Sequence, residues 1–139
     1  MKRKNPYAIH PVERAIAKAR WESLANSADL HLSWGDNFSK VIDTVSVLLY
    51  ITGLAAHTAK LVDSRITDLH NACTTAVDCV DGGEITVEQQ EALAKGLEAV
   101  RHIKPLLPER DFVTASIQAS CLIKSGGVFW KDFLVFIQH

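Results

Sequence analysis

The chain has 139 residues, 47% apolar and 22% charged, with a net charge of −1. That length holds one domain with its own core, and that composition excludes a disordered chain. No apolar run approaches the ~20 residues that span a bilayer; Val45 to Ile51, apolar but for Ser46, is far too short.

The charge is unevenly placed. Residues 1–20 carry Lys2, Arg3, Lys4, Arg14, Lys18 and Arg20 against Glu13 alone, giving +5, so the remainder carries −6. Residues 1–10 read as a basic flexible arm and 11–139 as a single helical domain. The start lacks an apolar stretch before Pro6 and Pro11, so no signal peptide is expected. Three cysteines (Cys73, Cys79, Cys121) cannot all pair within one chain. Reduced thiols and a cytoplasmic location are the expectation.

The spacing predicts an all-α, compact bundle of about six helices, at roughly 11–26, 36–52, 54–81, 87–104, 109–124 and 128–137. Pro11 suits a helix's first position, where its missing N–H costs nothing. Val12, Ala15, Ile16, Ala19 and Leu24 make the expected buried stripe of the first helix. Asn26 to Gly35 reads as a connector with Trp34 folded inward, and Ser33 or Asp36 is placed to cap the second helix.

A strict 3-4 seam then runs through Phe38, Val41, Val45, Leu48, Thr52, Ala55, Ala59, Val62, Ile66, Leu69, Cys73, Ala76 and Val80. Its first half is apolar on nearly every face, the mark of a central helix. One helix over 38–80 would be about 64 Å long, against a domain diameter of roughly 37 Å. So the seam must break, or protrude and pair with a second copy as a homodimer. Thr52-Gly53 is the expected break, since glycine costs up to ~1 kcal/mol in a helix.

Asp81-Gly82-Gly83 reads as a stop with a glycine cap. Thr86 with Gln89 matches a capping box, and Glu88 adds the right charge at that N-terminus. Leu93, Leu97 and Val100 form the inner face of this helix, and Pro105 ends it. Pro108 or Asp111 starts the next, with Phe112, Ile117, Cys121 and Leu122 inside. Eight of the ten residues from Val128 to Ile137 are apolar, read as a last helix.

No constellation points to catalysis. His70 and Cys73 share a helix face, but no CxxC, HExxH or second compact pair completes a tetrahedral metal site. Cys121 has no local histidine to activate it. The glycine pairs follow helices instead of cradling phosphate. No catalytic residue, metal or cofactor is therefore assigned.

Two contact surfaces stand out. Asp78, Asp81, Glu84, Glu88 and Glu91 cluster in sequence around the connection between the third and fourth helices, and no Lys or Arg occurs between Ile66 and Ala94. Such a patch is a solvated bundle end or a surface that docks on a basic partner. Four of the ten aromatic residues fall between Phe129 and Phe136. There Phe129, Trp130 and Phe133 either close the core or form an interface. Lys2, Arg3, Lys4, Arg14, Lys18 and Arg20 supply phosphate contacts in the alternative reading, a nucleic-acid-associated regulator.

At Asn5-Pro6-Tyr7-Ala8-Ile9-His10-Pro11-Val12-Glu13, and at Leu69-His70-Asn71-Ala72 followed by Gly82-Gly83 and the helix from Val87, the chain resembles small helical proteins carried by proteobacterial phages, prophages and plasmids. The resemblance spans about residues 1–15 and 66–124. It implies a mobile-element setting, where short accessory proteins often bind a host protein, including as inhibitors of defence systems such as CRISPR effectors. No functional residue carries over from it. The expected function is non-enzymatic occlusion of a host protein complex, with a host or element-encoded protein as partner.

Overall fold

In a computed structural model of the chain, residues 10–33, 38, 41–80 and 84–124 are described. They form five α-helices: α1 (Pro11–Ser33), α2 (Ile42–Thr58), α3 (Ile66–Val80), α4 (Val87–Ile103) and α5 (Glu109–Lys124), with a 3-10 turn, Lys104–Leu106, between the last two. No strand occurs among the described residues. The expected sixth helix at 128–137, Trp34, Asp36, Leu122's side chain and the Asp81-Gly82-Gly83 stop lie outside the described residues.

α2 is the centre of the bundle and packs on all four other helices. Every residue from Leu48 to Ala56 is buried. A helix buried all round must be apolar all round, and this one meets that demand with Ser46 and Thr52 as its buried polar exceptions. The Thr52 hydroxyl is satisfied locally, donating to the Leu48 carbonyl at 2.8 Å.

The seam does break, but not at Thr52-Gly53. α2 runs through both and ends at Thr58. The stop is a Schellman-type turn. Leu61 N–H donates to the Ala56 carbonyl at 3.0 Å and Lys60 N–H to the His57 carbonyl at 3.1 Å. Lys60 takes the left-handed position at φ 53°, where glycine is usual. One buried glycine costs about 1 kcal/mol in a helix, which the burial of the surrounding α2 residues exceeds. Past the stop the 3-4 phase lapses: Val62, a seam position, is 95% exposed. It resumes in α3, where Leu69, Cys73 and Ala76 are buried. The seam positions from Phe38 to Ala55 and from Leu69 to Ala76 are thus buried within one chain.

The α2–α3 connection is pinned by Asp63. Its carboxylate accepts from the Arg65 N–H at 2.9 Å and lies 3.4 Å from His102 Nε2 on α4. α3 and α4 make the most extensive helix contact, and Gly96 sits against Ala72 where they cross. The start of α4 is as expected, with a complete capping box: Gln89 N–H donates to Thr86 Oγ1 at 3.1 Å and Thr86 N–H to Gln89 Oε1 at 3.0 Å. Leu93, Leu97 and Val100 are buried, together with Gly96, Ala99 and Ile103.

α1 departs from expectation twice. It begins at Pro11, capped by His10, whose Nδ1 accepts from the Val12 N–H at 3.1 Å. But it continues past Asn26 to Ser33, because Ala28 and Leu32 extend its inward stripe. And the stripe is a different one: Ala17, Trp21, Leu24, Ala28 and Leu32 face the core, while Val12 and Ile16 are more than half exposed. Trp21 sets this rotation by packing edge-on against Phe112, ring centres 5.3 Å apart. At 100° per residue, Ile16 lies about 140° from Trp21, and Val12 about 180°.

α5 is rotated likewise. Phe112, Val113, Ala115, Ser116 and Ala119 are buried, whereas Ile117 and Cys121 are exposed. The small side chains of this face let α5 lie close on α2. α2 also begins late, with Val41 N–H donating to the Phe38 carbonyl at 3.1 Å ahead of it, and its N-cap is Val41 with no side-chain cap, in place of Ser33 or Asp36.

Candidate functional site

Two surfaces of opposite charge lie on different parts of the bundle. The first is the α3–α4 corner. Asp78 lies in the last turn of α3, Glu84 in the connection, and Glu88 and Glu91 in the first two turns of α4; all four are exposed. Among the described residues none of them has an ion-pair partner. Glu88 favours the α4 N-terminus electrostatically. Asp78 does the opposite: it sits at a helix C-terminus whose last turn holds no basic residue, a placement that costs a few tenths of a kcal/mol or more. Asp81, Phe129, Trp130 and Phe133 lie outside the described residues.

The second surface was not legible in the sequence. Two adjoining clefts separate α1 from the corner formed by α4, the 3-10 turn and α5. One, of about 270 Å³, is lined by Arg14, Lys18, Lys104, Pro105, Leu107, Glu109, Phe112 and Val113. The other, of about 230 Å³, is lined by Trp21, Ala25, Asp29, Leu48, Leu97, Val100, Arg101, Lys104 and Pro105. Lys104 and Pro105 belong to both. On the α1 side Trp21, Ala25 and Asp29 line one cleft and Arg14 and Lys18 the other.

The floor is apolar and the rim cationic. Arg14 pairs with Glu109 at 2.7 Å, and Arg101 with Asp29. Lys104 Nζ stands 4.6 Å from the centre of the Phe112 ring, a favourable cation–π placement. Lys18 and Lys104 have no acid partner among the described residues. Of the expected nucleic-acid contacts, Arg14 and Lys18 reach this rim, while Arg20 lies about 200° round α1 from Lys18. Lys2, Arg3 and Lys4 lie outside the described residues. Arg101, Lys104 and Trp21 were missed, since only tertiary packing brings α4 beside α1.

Cys73 and Cys79 are poorly suited to nucleophilic chemistry. Burial pushes the Cys73 thiol up to about 12, and its Sγ lies 3.7 Å from the Leu49 carbonyl, as a weak donor. Burial, then the Asp78 charge, raises Cys79. His70 is lowered, first by burial and then by the charge of His57. Among the described residues no three His, Cys, Asp or Glu side chains are grouped to hold a metal ion, and no helix is long and apolar enough to cross a membrane. Comparison with protein-family models, curated proteins and solved structures finds no match for the chain.

Proposed function

We propose that the chain is a non-enzymatic protein-binding accessory protein that docks its acidic α3–α4 corner on a basic surface of a host protein complex and so occludes it. The observation that carries this reading is the set Asp78, Glu84, Glu88 and Glu91, all exposed and unpaired among the described residues. Asp78 is moreover held where the α3 dipole disfavours it. Charge kept at a cost to the fold is accounted for by a use outside the fold. The resemblance to phage and plasmid proteins supports a mobile-element setting, with a defence system such as a CRISPR effector as one kind of complex to be blocked.

The test is affinity capture from a host lysate with the wild-type chain and with Asp78→Lys, Glu84→Lys, Glu88→Lys and Glu91→Lys combined. The reading expects a salt-sensitive partner that the reversed chain no longer retains. Capture of the same partners by both chains sinks it. The alternative, a nucleic-acid-associated regulator, rests among described residues on few cations, one already paired to Glu109. Duplex binding that weakens steeply with salt and is indifferent to the corner acids would put it first.

A further inference from the structure

We propose that the double cleft between α1 and the α4–α5 corner binds an amphipathic acidic peptide segment of a partner protein, its apolar side chains entering the two clefts and its carboxylates meeting Lys18 and Lys104. This rests on the reading of the chain as a protein-binding module, but not on the acidic corner.

Size argues first. Each cleft, about 230 and 270 Å³, falls below the ~300 Å³ at which pockets for whole small molecules begin. Each suits one or two anchoring side chains. The clefts follow one another along α1 between Arg14 and Asp29, a rise of roughly 22 Å at 1.5 Å per residue. That matches about four turns of a bound helix, whose anchors recur at i, i+3, i+4 and i+7.

Chemistry argues second. The floor offers Leu48, Leu97 and Val100 in one cleft and Leu107 and Val113 in the other, all buried side chains that touch the void. The rim already holds two guanidinium–carboxylate pairs, Arg14–Glu109 and Arg101–Asp29. Between them Lys18 and Lys104 have no acid partner among the described residues. An acidic, apolar segment satisfies both features at once. A nucleic-acid strand satisfies only one: its phosphates could meet the two lysines, but it has no aliphatic side chains to enter the apolar clefts. Phe112 offers a base no stacking face, because it is buried with Lys104 over its ring and Trp21 packed against it.

The test uses the full chain and a fluorescein-labelled synthetic peptide with Leu and Phe at helical a and d positions and Glu on the flanks, followed by anisotropy. Its two controls are the same peptide with every Glu replaced by Lys, and an oligothymidylate. The expected result is binding of the acidic peptide that weakens at least about tenfold, 1.4 kcal/mol, in Lys18→Glu/Lys104→Glu. It should weaken similarly in Ala25→Leu, which fills one cleft without touching charge. Unchanged helical circular dichroism and melting identify variants that remain folded. Reversal of Asp78, Glu84, Glu88 and Glu91 is expected to leave this affinity within about twofold, so the cleft and the corner can fail separately. The proposal is overturned by no binding, by equal binding of the Lys peptide, or by affinity that both cleft variants leave unchanged. Oligothymidylate binding that Lys18→Glu/Lys104→Glu abolishes would assign the cleft to nucleic acid. Concentration-dependent self-association lost in that variant would assign it to a second copy; either overturns the proposal as well.

Discussion

α3 and α4 meet almost backbone to backbone, whereas α1 is held off the α4–α5 corner by one tryptophan. At the α3–α4 crossing a methyl group on Gly96 would overlap the Ala72 side chain and press within 3.3 Å of Leu49. Along α1 two clefts remain, one beside Trp21 and Ala25 and one beside Arg14 and Lys18. The close contact uses its surface for packing, and its end carries the exposed acids Asp78, Glu84, Glu88 and Glu91. The loose contact keeps apolar surface within reach of solvent. Recognition by side-chain insertion belongs to the second region, and recognition by charge to the first.

The contrast is broken or sharpened most directly by adding carbon to each side. Gly96→Ala should destabilise the fold by about 2 kcal/mol, since overpacking outweighs the helix propensity gained. Ala25→Leu, which adds more atoms to a cleft wall, should change stability by less than about 1 kcal/mol. Urea melts of the two variants decide it. A mild Gly96→Ala and a severe Ala25→Leu would reverse the comparison.

The parts legible in the sequence were those fixed by neighbours along the chain. Pro11, the Thr86–Gln89 capping box and the Leu93, Leu97, Val100 face needed only local chemistry and one helical period. What was not legible depended on partners far along the chain. The rotation of α1 follows from Trp21 meeting Phe112, and Val12 and Ile16 turn outward only because of it. Cys121 and Ile117 fail as core residues because α5 offers its small side chains to α2 instead. The cationic cleft needs Lys18 of α1 beside Lys104 beyond α4, a pairing no spacing rule contains. The end of α2 was missed for another reason: its left-handed residue is a lysine, so no glycine marks the turn.

That lysine gives the next test, on the well-packed side. Lys60 holds φ 53°, a conformation costing a non-glycine residue roughly 1 kcal/mol. Lys60→Gly should therefore stabilise the chain, by somewhat less than that because glycine also gains freedom when unfolded. A higher melting temperature without a change in helix content is the expected readout. Destabilisation would mean that the Lys60 side chain stabilises the α2–α3 turn by more than its backbone costs.

The smallest effect is a dependence on pH, and it too separates the two regions. His70, half-buried on α3, has its pKa lowered from the usual 6.5, first by burial and then by the charge of His57. The folded chain therefore takes up this proton less readily than the unfolded one. The stability linked to His70 is fully present above pH 6.5 and falls as the pH drops below it, through the lowered folded-state value. His70→Gln removes the titration and should flatten the decline of the urea midpoint on the acid side of neutrality. Ile16→Ala, on the exposed face of α1, should leave that slope as it is in the wild type. If His70→Gln keeps the full slope, the acid sensitivity resides elsewhere, and burial at the α3 face is not what sets it.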